Sequence, residues 1–169
     1  MSERELLQTS RFSVVELASS SGPPRQVIRH PGSVVIIPMI DEQHVCLIRN
    51  YRVSVTRTLV ELPAGTREPN EAAEVTATRE LAEETGYRAG SLERITEFLP
   101  APGILDERMI LYIARGLSEG APAREAGEQI ENLVVPWQEA MAMVTRGEIE
   151  DAKTLLGLLL MDRQRSSDG

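Results

Sequence analysis

Apolar residues in this chain gather into short, β-branched runs separated by turn-forming residues, with three stretches of helical periodicity among them. Phe12, Val14, Val15 and Leu17 mark a strand over 11–17. Residues 19–24, rich in Ser, Gly and Pro, predict a turn, and 25–29 return as a second strand. Residues 34–39 and 45–48 are unbroken apolar runs, and Asp41-Glu42-Gln43-His44 between them predicts a hairpin. Residues 59–62 form another short strand. Asn70 stands as an N-cap before a helix over 71–85, with Gly86 where a C′ glycine belongs. Strands at 92–99 and 108–114 flank Pro100-Ala101-Pro102-Gly103, and the small, acidic stretch 118–127 is loop-like. After a strand over 130–135, Pro136 opens a helix to about residue 146. Asp151 caps a last helix to about 163, and 166–169 form a frayed tail. Strands and helices are thus mixed, with one helix between hairpins. The expectation is α+β, or a sheet sandwiched between helices, in one domain without repeats.

Composition narrows the function more than the fold. The 169 residues carry a formal net charge of −8, and Lys153 is the only lysine. A protein that grips nucleic acid by its phosphates shows a basic face, so nucleic acid is not expected as a partner. An acidic surface also repels a free polyphosphate, so an anionic substrate calls for bridging cations. The single cysteine, Cys46, lies in an apolar run and reads as a buried strand residue; one cysteine excludes an intramolecular disulfide. No apolar leader and no run long enough to span a membrane is visible, so the expected location is cytoplasmic, with no membrane partner. His30 and His44 read as turn residues, and Trp137 as packing.

The informative segment runs from Gly65 to Tyr87. Glu80 and Glu84 are four apart, so a helix places them on one face, with Glu83 beside Glu80. Like charges at this spacing cost a helix a few tenths of a kcal/mol per pair, roughly. They become favourable where a hard cation bridges them, since Mg²⁺ prefers oxygen ligands. Arg79 stands ready to orient a neighbouring carboxylate, and Ala73, Ala77 and Leu81 are spaced to pack inward on the other face. Gly65 after Pro63-Ala64 allows a tight turn that aims the Ala64 carbonyl at the same place. Three glutamates alone also fit a solvated acidic helix. The full spacing does not leave it there: Gly65, Glu71, Arg79-Glu80-Leu81, Glu83-Glu84, Gly86 and Tyr87 occupy fixed positions within 23 residues.

That pattern is the Nudix box, with Tyr87 in place of an aliphatic residue, and the chain resembles the Nudix hydrolases, in particular the bacterial ADP-ribose pyrophosphatase branch. The resemblance runs from about His30 to Leu160 and implies an α/β/α sandwich with a mixed sheet and a loop-helix-loop motif. Residues 31–165 would be the hydrolase domain, and 1–30 would add strands that form a homodimer. It implies that Glu80, Glu83 and Glu84, with the Ala64 carbonyl, hold Mg²⁺ ions around a diphosphate, Mn²⁺ substituting. Gly65, Glu71, Arg79 and Gly86 would lock the geometry.

Three further features resemble the ADP-ribose branch. Arg52, in Arg49-Asn50-Tyr51-Arg52, matches a strand-end arginine that reaches substrate. Pro102 lies fifteen residues beyond Tyr87, in Ala101-Pro102-Gly103, with Glu107 following. In Glu125-Ala-Gly-Glu128-Gln-Ile-Glu131, Glu128 matches the last acid of the loop that supplies the general base. Ala126 and Gly127 replace acids there, so Glu125 and Glu131 remain alternatives. Phe12, Arg25 and Arg29 are available to stack an adenine. The implied activity is hydrolysis of a nucleoside diphosphate derivative, ADP-ribose first, to AMP and ribose 5-phosphate. GDP-mannose or another sugar nucleotide is the alternative, and a non-catalytic nucleotide sensor is the reading from a different class.

Overall fold

A computed structural model describes residues 2–167 apart from Glu125, Ala126 and Glu128. Its elements in chain order are β1 (Glu3–Gln8), β2 (Ser13–Leu17), β3 (Arg25–Arg29), β4 (Ser33–Pro38), β5 (His44–Arg52), β6 (Arg57–Glu61) and β7 (Ala64–Thr66). Then follow α1 (Ala73–Thr85), β8 (Ser91–Phe98), β9 (Met109–Arg115), β10 (Ile130–Pro136), α2 (Trp137–Thr145) and α3 (Ala152–Ser167). They form an antiparallel sheet β1-β2-β3, an antiparallel sheet β10-β5-β6, and a mixed sheet β7-β4-β9-β8 in which β4 and β9 run parallel.

The unbroken apolar run of β4 has a direct cause: it is covered on both faces. Because side chains alternate along a strand, Val34 and Ile36 pack toward Ala77 and Leu81 of α1, together with Tyr112 and Ala114 of β9. Val35 and Ile37 face the other way. They join Leu47, Leu62, Leu111, Ile113, Trp137, Ala140, Leu158 and Met161 in the larger core under α2 and α3. Helix α1 on one side and α2 with α3 on the other make the expected α/β/α layering. Few aromatics contribute; Trp137 is buried, and its Nε1 donates to Asp162 Oδ1 at 2.8 Å. Cys46 is fully buried, and burial pushes its thiol up to about 12, which suits a strand residue and not a nucleophile. No described helix is long and apolar enough to cross a membrane.

Two local expectations are corrected, and one strand lies where none was marked. The polar segment before residue 11 is a strand, β1, whose side chains are all exposed and which is held by backbone pairing to β2. The turn after β4 forms, with Asp41 Oδ1 accepting the Gln43 and His44 N–H groups, but its two strands join different sheets. Asn70 is not the N-cap of α1. It adopts φ 64°, a left-handed conformation that Asn tolerates, and the helix starts at Ala73 behind Ala72 with no side-chain cap. The cause is Glu71, whose carboxylate accepts from Glu68 N, Thr76 Oγ1 and Arg79 and so holds this stretch as a loop. Downstream, Asp151 caps α3 as expected, Oδ2 accepting Thr154 N at 3.0 Å, and the helix continues through Ser167. Asp168 and Gly169 lie outside the described residues.

The C-terminus of α1 is closed by Gly86 at φ 81°. A Cβ there would also meet Gly120 O at 2.5 Å. Gly86→Ala is therefore expected to destabilise the chain by about 2–3 kcal/mol, combining left-handed strain with the close approach. Urea unfolding measures it, and a midpoint equal to that of the parent protein would contradict the strain argument.

Candidate functional site

The Gly65–Tyr87 segment folds as strand, loop and helix, and its acids converge on one cleft. The cleft, about 380 Å³, is lined by Arg52, Ala64, Gly65, Arg79, Glu80, Glu83 and Glu84, with Ser10, Arg11 and Pro31 at its rim. Helix α1 presents these glutamates because its opposite face is committed to the core through Ala77 and Leu81. Glu84, only 4% exposed, accepts the Ala64 N–H on Oε2 at 3.0 Å, tying the helix to β7, the short strand that stands where a tight turn was expected. Gly65 leaves no room for a side chain: a Cβ would coincide with the Glu80 carboxylate.

Arg79 organises the acids. Its Nε and Nη2 reach the two Glu71 oxygens at 3.1 Å, and Nη1 reaches Glu80 Oε1 at 2.8 Å and Glu83 Oε2 at 2.9 Å. The Arg79 hydrogen bonds hold the Glu71 carboxyl down at about 2. In return Glu71 raises the Arg79 guanidinium above its ordinary value, against burial. Glu71 and Arg79 are thus paired across the loop that precedes α1. The carboxylates of Glu80, Glu83 and Glu84 share the cleft. Among the described residues, however, no three His, Cys, Asp or Glu side chains stand close enough to hold a metal between them. With this rotamer set the Arg79 guanidinium, not a common point in space, is what Glu80 and Glu83 share.

The last three carbonyls of α1 are satisfied from the loop between β9 and β10 and from β10 itself. Ala123 N donates to Glu83 O at 3.0 Å, Arg124 Nε to Glu84 O at 3.0 Å, and Asn132 Nδ2 to Thr85 O at 2.8 Å. The described start of the loop is therefore tied directly beside the paired glutamates. Glu128 and Glu125 themselves lie outside the described residues, and Glu131 is exposed on β10.

A second cleft of about 320 Å³ adjoins the first through Arg52, Ala64, Gly65 and Thr66, and adds Ser33, Glu107, Asp151 and Lys153. Arg52 and Glu107 thus line the same cleft. Glu107 Oε1 accepts Ser33 Oγ at 2.6 Å, and His30 Nδ1 lies 3.5 Å away. Pro102 lines neither cleft. It sits in an exposed turn anchored to β3, where Ile28 N donates to Ile104 O at 2.8 Å. On the N-terminal side a further hollow, lined by Phe12, Arg29 and His30, shares Ser10, Arg11 and Pro31 with the cleft of the glutamates. Arg29 is already paired with Asp106 and Glu3.

Sequence patterns missed Arg11 and the group Glu61, Asp151 and Lys153. The one signal for the latter was a lone lysine directly after a helix cap. A larger concavity, about 980 Å³, lies between α3 and the β8–β9 edge and holds none of the box residues. The convergence of carboxylates and arginines, not size, marks the site.

Comparison with known proteins agrees. The chain is 39% identical over 142 residues to the ADP-ribose pyrophosphatase of Bacillus subtilis (strain 168), covering 83% of this chain and 77% of that one. It is 34% identical over 154 residues to the methanol dehydrogenase activator of Bacillus methanolicus, covering 90% and 83%. The GDP-mannose pyrophosphatase of Cronobacter sakazakii is 34% identical over 149 residues, covering 78% and 77%. A crystal structure of an ADP compounds hydrolase superposes with a TM-score of 0.82 over 100% of this chain and 94% of that one; at 23% identity it shares the fold. The NUDIX domain model matches residues 29–158, so the chain belongs to the Nudix family.

Proposed function

We propose that the chain is a divalent-cation-dependent pyrophosphatase of nucleoside diphosphate derivatives, acting first on ADP-ribose to give AMP and ribose 5-phosphate. The observation that carries this is the cleft lined together by Glu80, Glu83 and Glu84 of α1, Ala64 and Gly65 of β7, and Arg52. Its donor set of carboxylates and a backbone carbonyl suits a hard cation, Mg²⁺ with Mn²⁺ as a substitute, held by Glu80, Glu83, Glu84 and Ala64. Such an ion supplies charge neutralisation on the diphosphate and lowers the pKa of a bound water. The side chains do the rest. Arg79 presets the acids; Arg52 and Glu107 hold the substrate; Glu128 takes the proton from the attacking water. The Phe12 hollow is open to the base on the N-terminal side, and residues 1–30 build a homodimer. Pro102 acts by shaping its turn.

Turnover with Mg²⁺ across ADP-ribose, GDP-mannose, UDP-glucose, NADH and 8-oxo-dGTP tests the substrate. ADP-ribose is expected to show the highest kcat/KM; preference for GDP-mannose, which the relatives of that name favour, would shift the assignment. No turnover of any of them would leave a sensing module. Light scattering on the same sample checks the dimer, which a mass near 18.7 kDa would exclude. For the base, Glu128→Gln is expected to lower kcat by about 10²–10⁴-fold with little change in KM. An unchanged kcat there, with loss in Glu125→Gln or Glu131→Gln, would move the role.

A further inference from the structure

The wall shared by the two clefts is built on four charged groups from two distant parts of the chain. Glu61, at the end of β6, is 1% exposed and takes two cations at once. Arg52 Nε donates to its Oε1 at 2.8 Å and Nη2 to its Oε2 at 2.6 Å, while Lys153 Nζ also reaches Oε2 at 2.6 Å. Lys153 in turn pairs with Asp151 Oδ1 at 2.9 Å. The start of α3 is fixed to this spot by a separate clamp. Asp151 Oδ2 accepts from Thr154 N and Oγ1, and Thr154 Oγ1 accepts the Leu62 N–H at 2.8 Å. Lys153 therefore has little freedom to leave, and its side chain is only 10% exposed, whereas that of Arg52 is 38% exposed.

Charge and geometry give this cluster a purpose beyond packing. The bidentate pair uses Nε and one edge of Nη2, which leaves Nη1 and the remaining Nη2 proton of Arg52 directed away from Glu61. With both cations present the four groups sum to zero, and the most exposed of them is the Arg52 guanidinium. Without Lys153 the same wall carries one cation and two carboxylates. Its net negative charge repels an anionic ligand and draws Arg52 tighter onto Glu61. We propose that Lys153 is a positioning residue for substrate binding: by sharing Glu61 and balancing Asp151, it holds Arg52 with a free guanidinium edge toward the anionic diphosphate substrate. This rests on the assignment of Arg52 as a substrate-binding residue made above.

A double-mutant cycle separates the two ideas. kcat and KM are measured, on the best substrate of the panel, for the parent protein, Arg52→Gln, Lys153→Met and the double variant. Arg52→Gln is expected to raise KM about tenfold or more. Lys153→Met should raise KM about three- to tenfold with kcat held within about twofold, and add nothing further once Arg52 is gone. If Lys153→Met raises KM by the same factor in both backgrounds, or lowers kcat alone, Lys153 does not act through Arg52 and the inference falls. If Arg52→Gln leaves KM unchanged, the assignment beneath it falls instead. Should Lys153→Met not fold, Lys153→Gln, which keeps a donor to Glu61, enters the same cycle with the same two outcomes.

Discussion

Glu84→Gln is expected to lose about two to three orders of magnitude in kcat while the fold survives. Glu84 is buried at the C-terminal end of α1, and its Oε2 accepts the Ala64 N–H. A glutamine matches its shape, and its amide oxygen can keep that one hydrogen bond. Its backbone carbonyl, bound by Arg124, is untouched. What disappears is a negative charge beside Ala64 and Arg52, and with it the attraction for a divalent cation. Removing the charge relieves desolvation but also gives up the attraction to Arg52, so the melting temperature should change little. Near-parental turnover at saturating Mg²⁺ would sink the metal assignment. A collapsed melting temperature would show instead that Glu84 is structural.

Gly65→Ala should produce a loss of similar size, about a hundredfold, by a different route. The methyl group would occupy the position of the Glu80 carboxylate. Because that obstacle is the far end of a flexible side chain, the backbone need not move, and the stability cost should stay within about 1 kcal/mol. Glu80 must swing out, however, breaking its contact with Arg79 Nη1 and leaving the cleft one carboxylate short. The expected signature is a lower kcat together with a higher Mg²⁺ concentration at half-activity. Activity and Mg²⁺ dependence both unchanged would mean that Glu80 has no part in holding the ion. The contrast with Gly86 is instructive: there the obstacle is backbone and φ is positive, so the penalty falls on stability.

The difference between local and long-range causes explains what was legible in the sequence. The runs at Val34–Ile37 and Val45–Ile48 announced strands because each residue is covered wherever it points. The box announced its helix and its acid face because a spacing of four residues is a property of the helix itself. Gly86, Asp151 and the Asp41 turn were readable for the same reason, since each satisfies backbone groups within a few residues of itself. Asn70 misled because the competing partner was a side chain: Glu71 serves Arg79 instead of the helix, so the helix begins later. Strand β1 carries no apolar alternation because both its faces are exposed, and backbone pairing with β2 leaves no mark on residue type.

Family membership and the positions of the box acids were therefore legible in the sequence alone, since they reside in residue types at fixed short spacings. Tertiary structure alone decided that Arg52 and Glu107 line one cleft, that Arg11 lines the box cleft, and that Pro102 stays in an outer turn. It also decided that Lys153 meets Glu61 across 92 residues. A buried ion pair between distant segments depends on how sheets and helices dock, and no periodicity along the chain encodes that docking.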